Sequence, residues 1–282
     1  MSTLQNSSTD QKEIWNGTGG QGWVTSQALL DRTFKPLEDL LTDTVSSALA
    51  RRVLDVGCGT GATTVAIARR LGTDGSCLGI DLSEAMIDAA RARAERDGVT
   101  ASFVCSDAQT YPFASASVDM IISRFGVMFF SDPIRAFTNL RSAAFKDARL
   151  YCIVWRSPAQ NPFMTAAEQA AEPLLPGVSE RVTNEPGQFG FADRAWVQGI
   201  LTKSGWDQID ITPIDVPCAF PASELELYLS RLGPVGRALQ DADDQTRTKV
   251  IGVVRPAFDG YLYGAEVRFT AACWIIDARA GT

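Results

Sequence analysis

The stretch Leu54–Thr64, LDVGCGTGATT, constrains this chain more than any other. An apolar run containing one acid, Asp55, is followed by Gly57, Gly59 and Gly61 at alternate positions, and a helical pattern then begins. Glycine at every second place suits a backbone that must turn tightly and come close to a ligand. In an open parallel sheet that place is the carboxyl end of a strand, where ligands bind and the next helix presents free amides.

The segments around it repeat the unit. RVLDVG, SCLGIDL, ASFVCSD, SVDMIISR and ARLYCIVW read as five short strands. ATTVAIARRLG, SEAMIDAARARAERDG and DPIRAFTNLRSAAF read as helices between them. Gly72 and Gly98 stand where helices close, and Ser83 stands as an N-cap. Strands alternating with helices of ten to fifteen residues predict an α/β fold with a mostly parallel sheet covered on both faces. Residues 1–12 read as a loose polar arm, and 14–49 as helix with Pro36 dividing it. After Trp155 the pattern predicts loops with a short helix, a helix over DRAWVQGILTKSG and a strand over WDQIDITPIDV. Two amphipathic helical stretches follow, and EVRFTAACWIIDAR is expected as the closing strand.

Bulk properties exclude several functions. The 282 residues, 45% of them hydrophobic, suit one large domain. A net charge of -7 with scattered Lys and Arg argues against nucleic-acid binding. No run is apolar and long enough for a membrane span, and the polar N-terminus lacks the order of a secretion leader. The six cysteines are far apart, which predicts free thiols in a reducing cytoplasm and no zinc site. The chain has no histidine, so imidazole-based triads and metal sites are excluded.

Spacing separates the candidate ligands. Dinucleotide binders use G-x-G-x-x-G, whereas this loop reads D-x-G-x-G-x-G. VLDVGCGTG resembles motif I of the class I S-adenosylmethionine (SAM) methyltransferases, and the later strand ends follow that family's order. The resemblance implies a Rossmann-like seven-stranded sheet, mostly parallel, with its last strand antiparallel. It implies SAM as cofactor, no metal, and a loop of Asp55, Gly57, Cys58, Gly59 and Gly61 receiving the methionine end. Asp81 would hold the ribose hydroxyls, with Leu82 and Met86 on the adenine. Asp107 and Ala108 would read the adenine edge, and Ser123, Arg124 and Phe125 would line the floor under the methyl.

EIWNGTGGQGWVTSQALLDR is similar to an N-terminal segment of bacterial small-molecule methyltransferases of the ubiquinone/menaquinone type. The likeness implies a lid over residues 1–50, ahead of a SAM-binding core at 51–155. The remainder, 156–282, belongs to the same domain and carries substrate-side insertions at 156–190 and 221–263. Trp15, Asn16 and Trp23 would cover the site, Gln27 would reach the cofactor carboxylate, and the glycines would act as hinges. Trp15, Phe125, Trp155, Arg156, Asn161, Phe163, Tyr228 and Arg231 are candidate contacts for a small, planar or acidic acceptor.

The implied reaction is direct in-line methyl transfer to O, N or C of that acceptor, by a monomer or homodimer. No catalytic base is identified. A non-catalytic SAM-binding protein, an NAD(P)-dependent oxidoreductase and a methyltransferase acting on a macromolecule remain alternatives.

Overall fold

A computed structural model describes residues 11–240 and 242–281. Eight strands form one sheet: β1 (Arg52–Val56), β2 (Ser76–Asp81), β3 (Ser102–Cys105), β4 (Val118–Arg124), β5 (Ala144–Trp155), β6 (Trp206–Pro221), β7 (Leu262–Tyr263) and β8 (Glu266–Ala280). Their order is β3-β2-β1-β4-β5-β8-β6, with β7 on the edge of β8. β1 to β5 run parallel, and β8 is antiparallel to both of its long neighbours. Seven long strands therefore match the expectation; the eighth, β7, is a two-residue hairpin partner to the start of β8.

The central strands are buried along nearly their whole length: in β1 only Arg52 is exposed, and the last six residues of β5 are all buried. Strands covered on both faces need continuous apolar runs rather than alternation. Helices cap as the sequence suggests. The Ser83 side chain accepts from the Met86 amide, and Gly72 and Gly98 end their helices with φ of 59° and 63°. Trp206, fully buried, ties the start of β6 to the Pro133–Ala143 helix through its indole N–H, which donates to the Phe137 carbonyl at 3.1 Å.

Residues 1–10 of the expected polar arm lie outside the described residues. The rest of the arm is already helical from Gln11. Three helices follow, Thr18–Thr25, Gln27–Thr33 and Lys35–Ser47. The break expected at Pro36 falls at Phe34, and Pro36 sits in the first turn of the third helix, where its missing N–H costs nothing. An unanticipated helix, Gly233–Gln240, packs against the Thr18–Thr25 helix, with the Gln240 amide donating to the Thr18 carbonyl at 3.1 Å.

The glycines expected as hinges lie in a helix: Gly19, Gly20 and Gly22 are buried within Thr18–Thr25, where the missing side chain permits close packing. A Cβ on Gly20 would lie 2.9 Å from the Ser83 hydroxyl, and one on Gly22 would lie 2.5 Å from the Arg231 carbonyl oxygen.

Candidate active site

The glycine loop lies across the end of β2. Its Gly57 and Cys58 amides both donate to the Ile80 carbonyl, at 2.8 and 3.1 Å. All three glycines have left-handed φ, but for different surroundings. A Cβ on Gly57 would lie 2.5 Å from the Gly126 backbone, and one on Gly61 would meet Ala90 at 2.7 Å. Around Gly59 the nearest atom is the Met86 sulfur at 3.7 Å, so its Cα faces open space.

Asp81 closes this arrangement at the carboxyl end of β2. One carboxylate oxygen accepts from the Gly59 amide at 2.8 Å and the other from the Ser83 amide at 2.9 Å. Burial pushes its pKa up, and the surrounding backbone amides pull it back. A carboxylate has about four acceptor positions, so two remain for a ligand.

Asp55 is 1% exposed and accepts from the Thr64 hydroxyl at 2.6 Å. Burial raises its pKa from 3.8 to about 6. An acid whose pKa is higher folded than unfolded binds more protons when folded, so stability falls as pH rises between those two values. Asp55 is thus expected to lower stability by about 2 kcal/mol at pH 7 relative to pH 4. Urea unfolding at both pH values should show this difference shrink in Asp55→Asn, which keeps an acceptor for Thr64. An unchanged pH dependence would assign the effect elsewhere.

The loop opens on a cavity of about 940 Å³. Among the candidate residues, its wall includes Trp15, Trp23, Gly57, Gly59, Asp81, Leu82, Met86, Asp107, Ala108, Arg124, Phe125, Trp155 and Tyr228. Asp55 and Cys58 line a small recess beneath the loop instead, and burial pushes the Cys58 thiol well up. Phe125, at φ 67°, stacks on Trp155 with ring centres 4.4 Å apart, and Phe34 meets both edge-on. Arg124 lies beside them; its guanidinium donates to the Phe34 carbonyl at 3.3 Å.

The N-terminal segment covers this space. The Asn16 amide nitrogen donates to the Leu82 carbonyl, and its oxygen accepts from the Glu84 amide, both at 3.0 Å. Trp15 stands edge-on to Trp23 and Phe129.

Several expected contacts are placed elsewhere. Ser123 is fully buried and donates to the Val56 carbonyl at 2.7 Å while accepting from the Gly126 and Val127 amides; it ties the loop to β4 rather than forming the floor. The Gln27 oxygen accepts from Arg93, away from the cavity wall. Arg156 pairs with Asp215 and lies over Trp274. Asn161, 1% exposed, bridges the Arg156, Ser157 and Ala272 backbones. Arg231 is exposed off the cavity, and Phe163 stacks on Phe269 in an aromatic core. Asp107 reaches the wall, but its oxygens hold the Gln109 amide and side chain.

The far end of the cavity includes Met164, Arg181, Phe189, Tyr228 and Arg237. Glu168, 2% exposed behind this wall, is ion-paired with Arg181, and both arginines pull its burial-raised pKa down. Neither arginine is signalled in the sequence, because each enters the wall through a tertiary approach of distant segments. Phe129 and Phe130 also line the cavity, and their signal is the aromatic run after β4.

Residues 53–145 match the family described as methyltransferase domain. The aklanonic acid methyltransferase of Streptomyces sp. (strain C5) is 35% identical over 121 residues, 41% of this chain and 55% of that protein. The ubiquinone/menaquinone biosynthesis C-methyltransferase of Proteus mirabilis is 23% identical over 172 residues, 57% of this chain and 68% of that protein. The alignment thus spans little more than half of the first relative. The magnesium protoporphyrin IX methyltransferase of Synechocystis PCC 6803 shares the fold, with a TM-score of 0.58 at 14% identity, over 96% of this chain and 99% of that one.

Proposed function

We propose, from the premise that residues 53–145 are a class I, S-adenosylmethionine-dependent methyltransferase domain, that the whole chain methylates a small organic acceptor. One observation carries this reading: a single cavity runs from the glycine loop and Asp81 to a wall built by the inserted segments. At about 940 Å³ it lies at the upper end of typical small-molecule sites, with room for cofactor and acceptor together.

SAM, when bound, supplies a methyl group activated by a positive sulfur. The chain's task is then chiefly alignment and exclusion of water, and positioning can contribute about 7–11 kcal/mol. The Asp81 carboxylate would hold the ribose diol with its two remaining acceptor positions. Met86 and Leu82 would bound the adenine, and Trp15 and Trp23 would keep water off the reacting centre.

The stacked Phe125 and Trp155 offer a flat apolar surface, and Arg181 and Arg237 line the same cavity together with Glu180, Glu185 and Asp193. The flat surface favours a planar acceptor, and Arg237, which makes no ion pair among the described residues, would meet an acidic group on it. The two relatives described above carry small molecules in their names, aklanonic acid and ubiquinone/menaquinone. The described cysteines are all unpaired, which supports a reducing, cytoplasmic setting. No helix among the described residues is long and apolar enough to cross a membrane.

Calorimetric titration with SAM, S-adenosylhomocysteine and NAD in parallel tests the cofactor. Binding of both adenosyl ligands and not NAD is expected. Methyl transfer from labelled SAM to a panel of flat aromatic acids and quinols then tests the reaction. Tight SAM binding with no acceptor turned over would favour the non-catalytic reading, and a preference for NAD would overturn the proposal.

A further inference from the structure

Asp107, the expected reader of the adenine, accepts three hydrogen bonds from Gln109 and keeps about one acceptor position. A second acceptor lines the same cavity. Gln11 is 9% exposed and lines the wall, and its side-chain oxygen has no hydrogen-bond partner. Among the described residues it is the one buried side-chain polar atom left unpartnered on that wall.

Its position is fixed by its neighbours. The Asn16 amide that donates to Leu82 also donates to the Lys12 carbonyl at 3.0 Å, holding this turn against the end of β2. The Lys12 charge also acts on the Cys105 thiol at the end of β3. Gln11 therefore overhangs the strand ends where the base of an adenosyl group lies if Asp81 holds its ribose. A buried carbonyl oxygen without a donor is costly to leave unmade, and the exocyclic amine of adenine is a donor.

The geometry points to Gln11 as a second residue that reads adenine, its Oε1 accepting from one of the two N–H groups of the 6-amino group. The lid thereby recognises the base as well as covering it. This rests on the SAM reading above, and the test separates the two.

Calorimetry with S-adenosylhomocysteine and S-inosylhomocysteine, whose 6-position accepts rather than donates, is run on wild type, Gln11→Leu and Gln11→Glu. Gln11→Leu should weaken the adenosyl ligand about tenfold, the loss expected for one unmade buried hydrogen bond. Its preference between the two nucleosides should shrink to about threefold or less. Gln11→Glu can only accept, so it should keep the adenosyl ligand and widen the preference. That variant also controls for loss of folding.

Unchanged adenosyl binding in Gln11→Leu overturns the inference and leaves the SAM reading standing. Equal weakening of both ligands in both variants also overturns it, because packing alone would act that way. If the wild type binds neither ligand, the SAM reading falls and this inference with it.

Discussion

Asp81→Ala is expected to weaken S-adenosylhomocysteine binding by about 100-fold or more. Two roles meet in this carboxylate. It holds the loop by accepting from Gly59 and Ser83, and its remaining acceptor positions face the cavity. Hydrogen bonds to a charged group contribute about 1.5–3 kcal/mol each, so losing two to a diol gives about 3–6 kcal/mol before any movement of the loop. Water entering the vacated space offsets part of this, which leaves about 100-fold as the lower expectation. Calorimetry on a variant whose unfolding temperature is shown to be retained decides the matter. A loss below about threefold would move ribose binding to another group.

Gly57→Ala is expected to be the most destabilising single-methyl change in the loop. Its φ of 68° disfavours any L side chain, at a cost of about 1–2 kcal/mol. The added Cβ would lie 2.5 Å from the Gly126 Cα, and backbone on both sides cannot rotate away. Overpacking of this kind adds about 1–3 kcal/mol, for a total of about 2–5 kcal/mol. In a chain of this size that corresponds to a fall of about 4–10 °C in unfolding temperature.

Gly59→Ala is the internal control. It shares the left-handed φ but meets nothing closer than the Met86 sulfur. It should lose only the backbone strain, about 1–2 kcal/mol, with its methyl intruding on the cavity instead. Equal destabilisation by the two substitutions would show that the Gly57–Gly126 contact is not what demands glycine.

These contrasts also show which parts of the molecule were legible beforehand. The strand–helix alternation, the helix caps and the glycine loop could be read because each depends on residues adjacent in sequence. Side-chain destination could not. Ser123 and Arg124 are neighbours on β4, and neighbours on a strand point to opposite faces. The sequence names both as candidates without saying that Arg124 takes the cavity and Ser123 the sheet interior. Asn161 looks like a polar pocket residue until its backbone partners on β8 are seen. Glycines in the N-terminal segment suggest a hinge, and the close approach of Gly20 to Ser83 and of Gly22 to Arg231 is a tertiary fact that no local pattern signals. Gln11 is hidden in a segment whose sequence reads as a loose polar arm.

The pairing of β6 with β8 has a consequence for how this scaffold can change. Pro221, the last residue of β6, is paired with Glu266, the first of β8. The chain after Pro221 therefore leaves the sheet and is brought back to its edge by β7 beside the same point, carrying Tyr228 and Arg237 with it. The ladder already holds the two ends together, so a longer or shorter replacement adds little closure entropy. The segment is a cassette with fixed footings: another stretch could be grafted between them, changing the molecule admitted while the glycine-loop half stays in register. One boundary condition travels with any graft, because Gly22 needs a backbone surface of the kind the Arg231 carbonyl now provides.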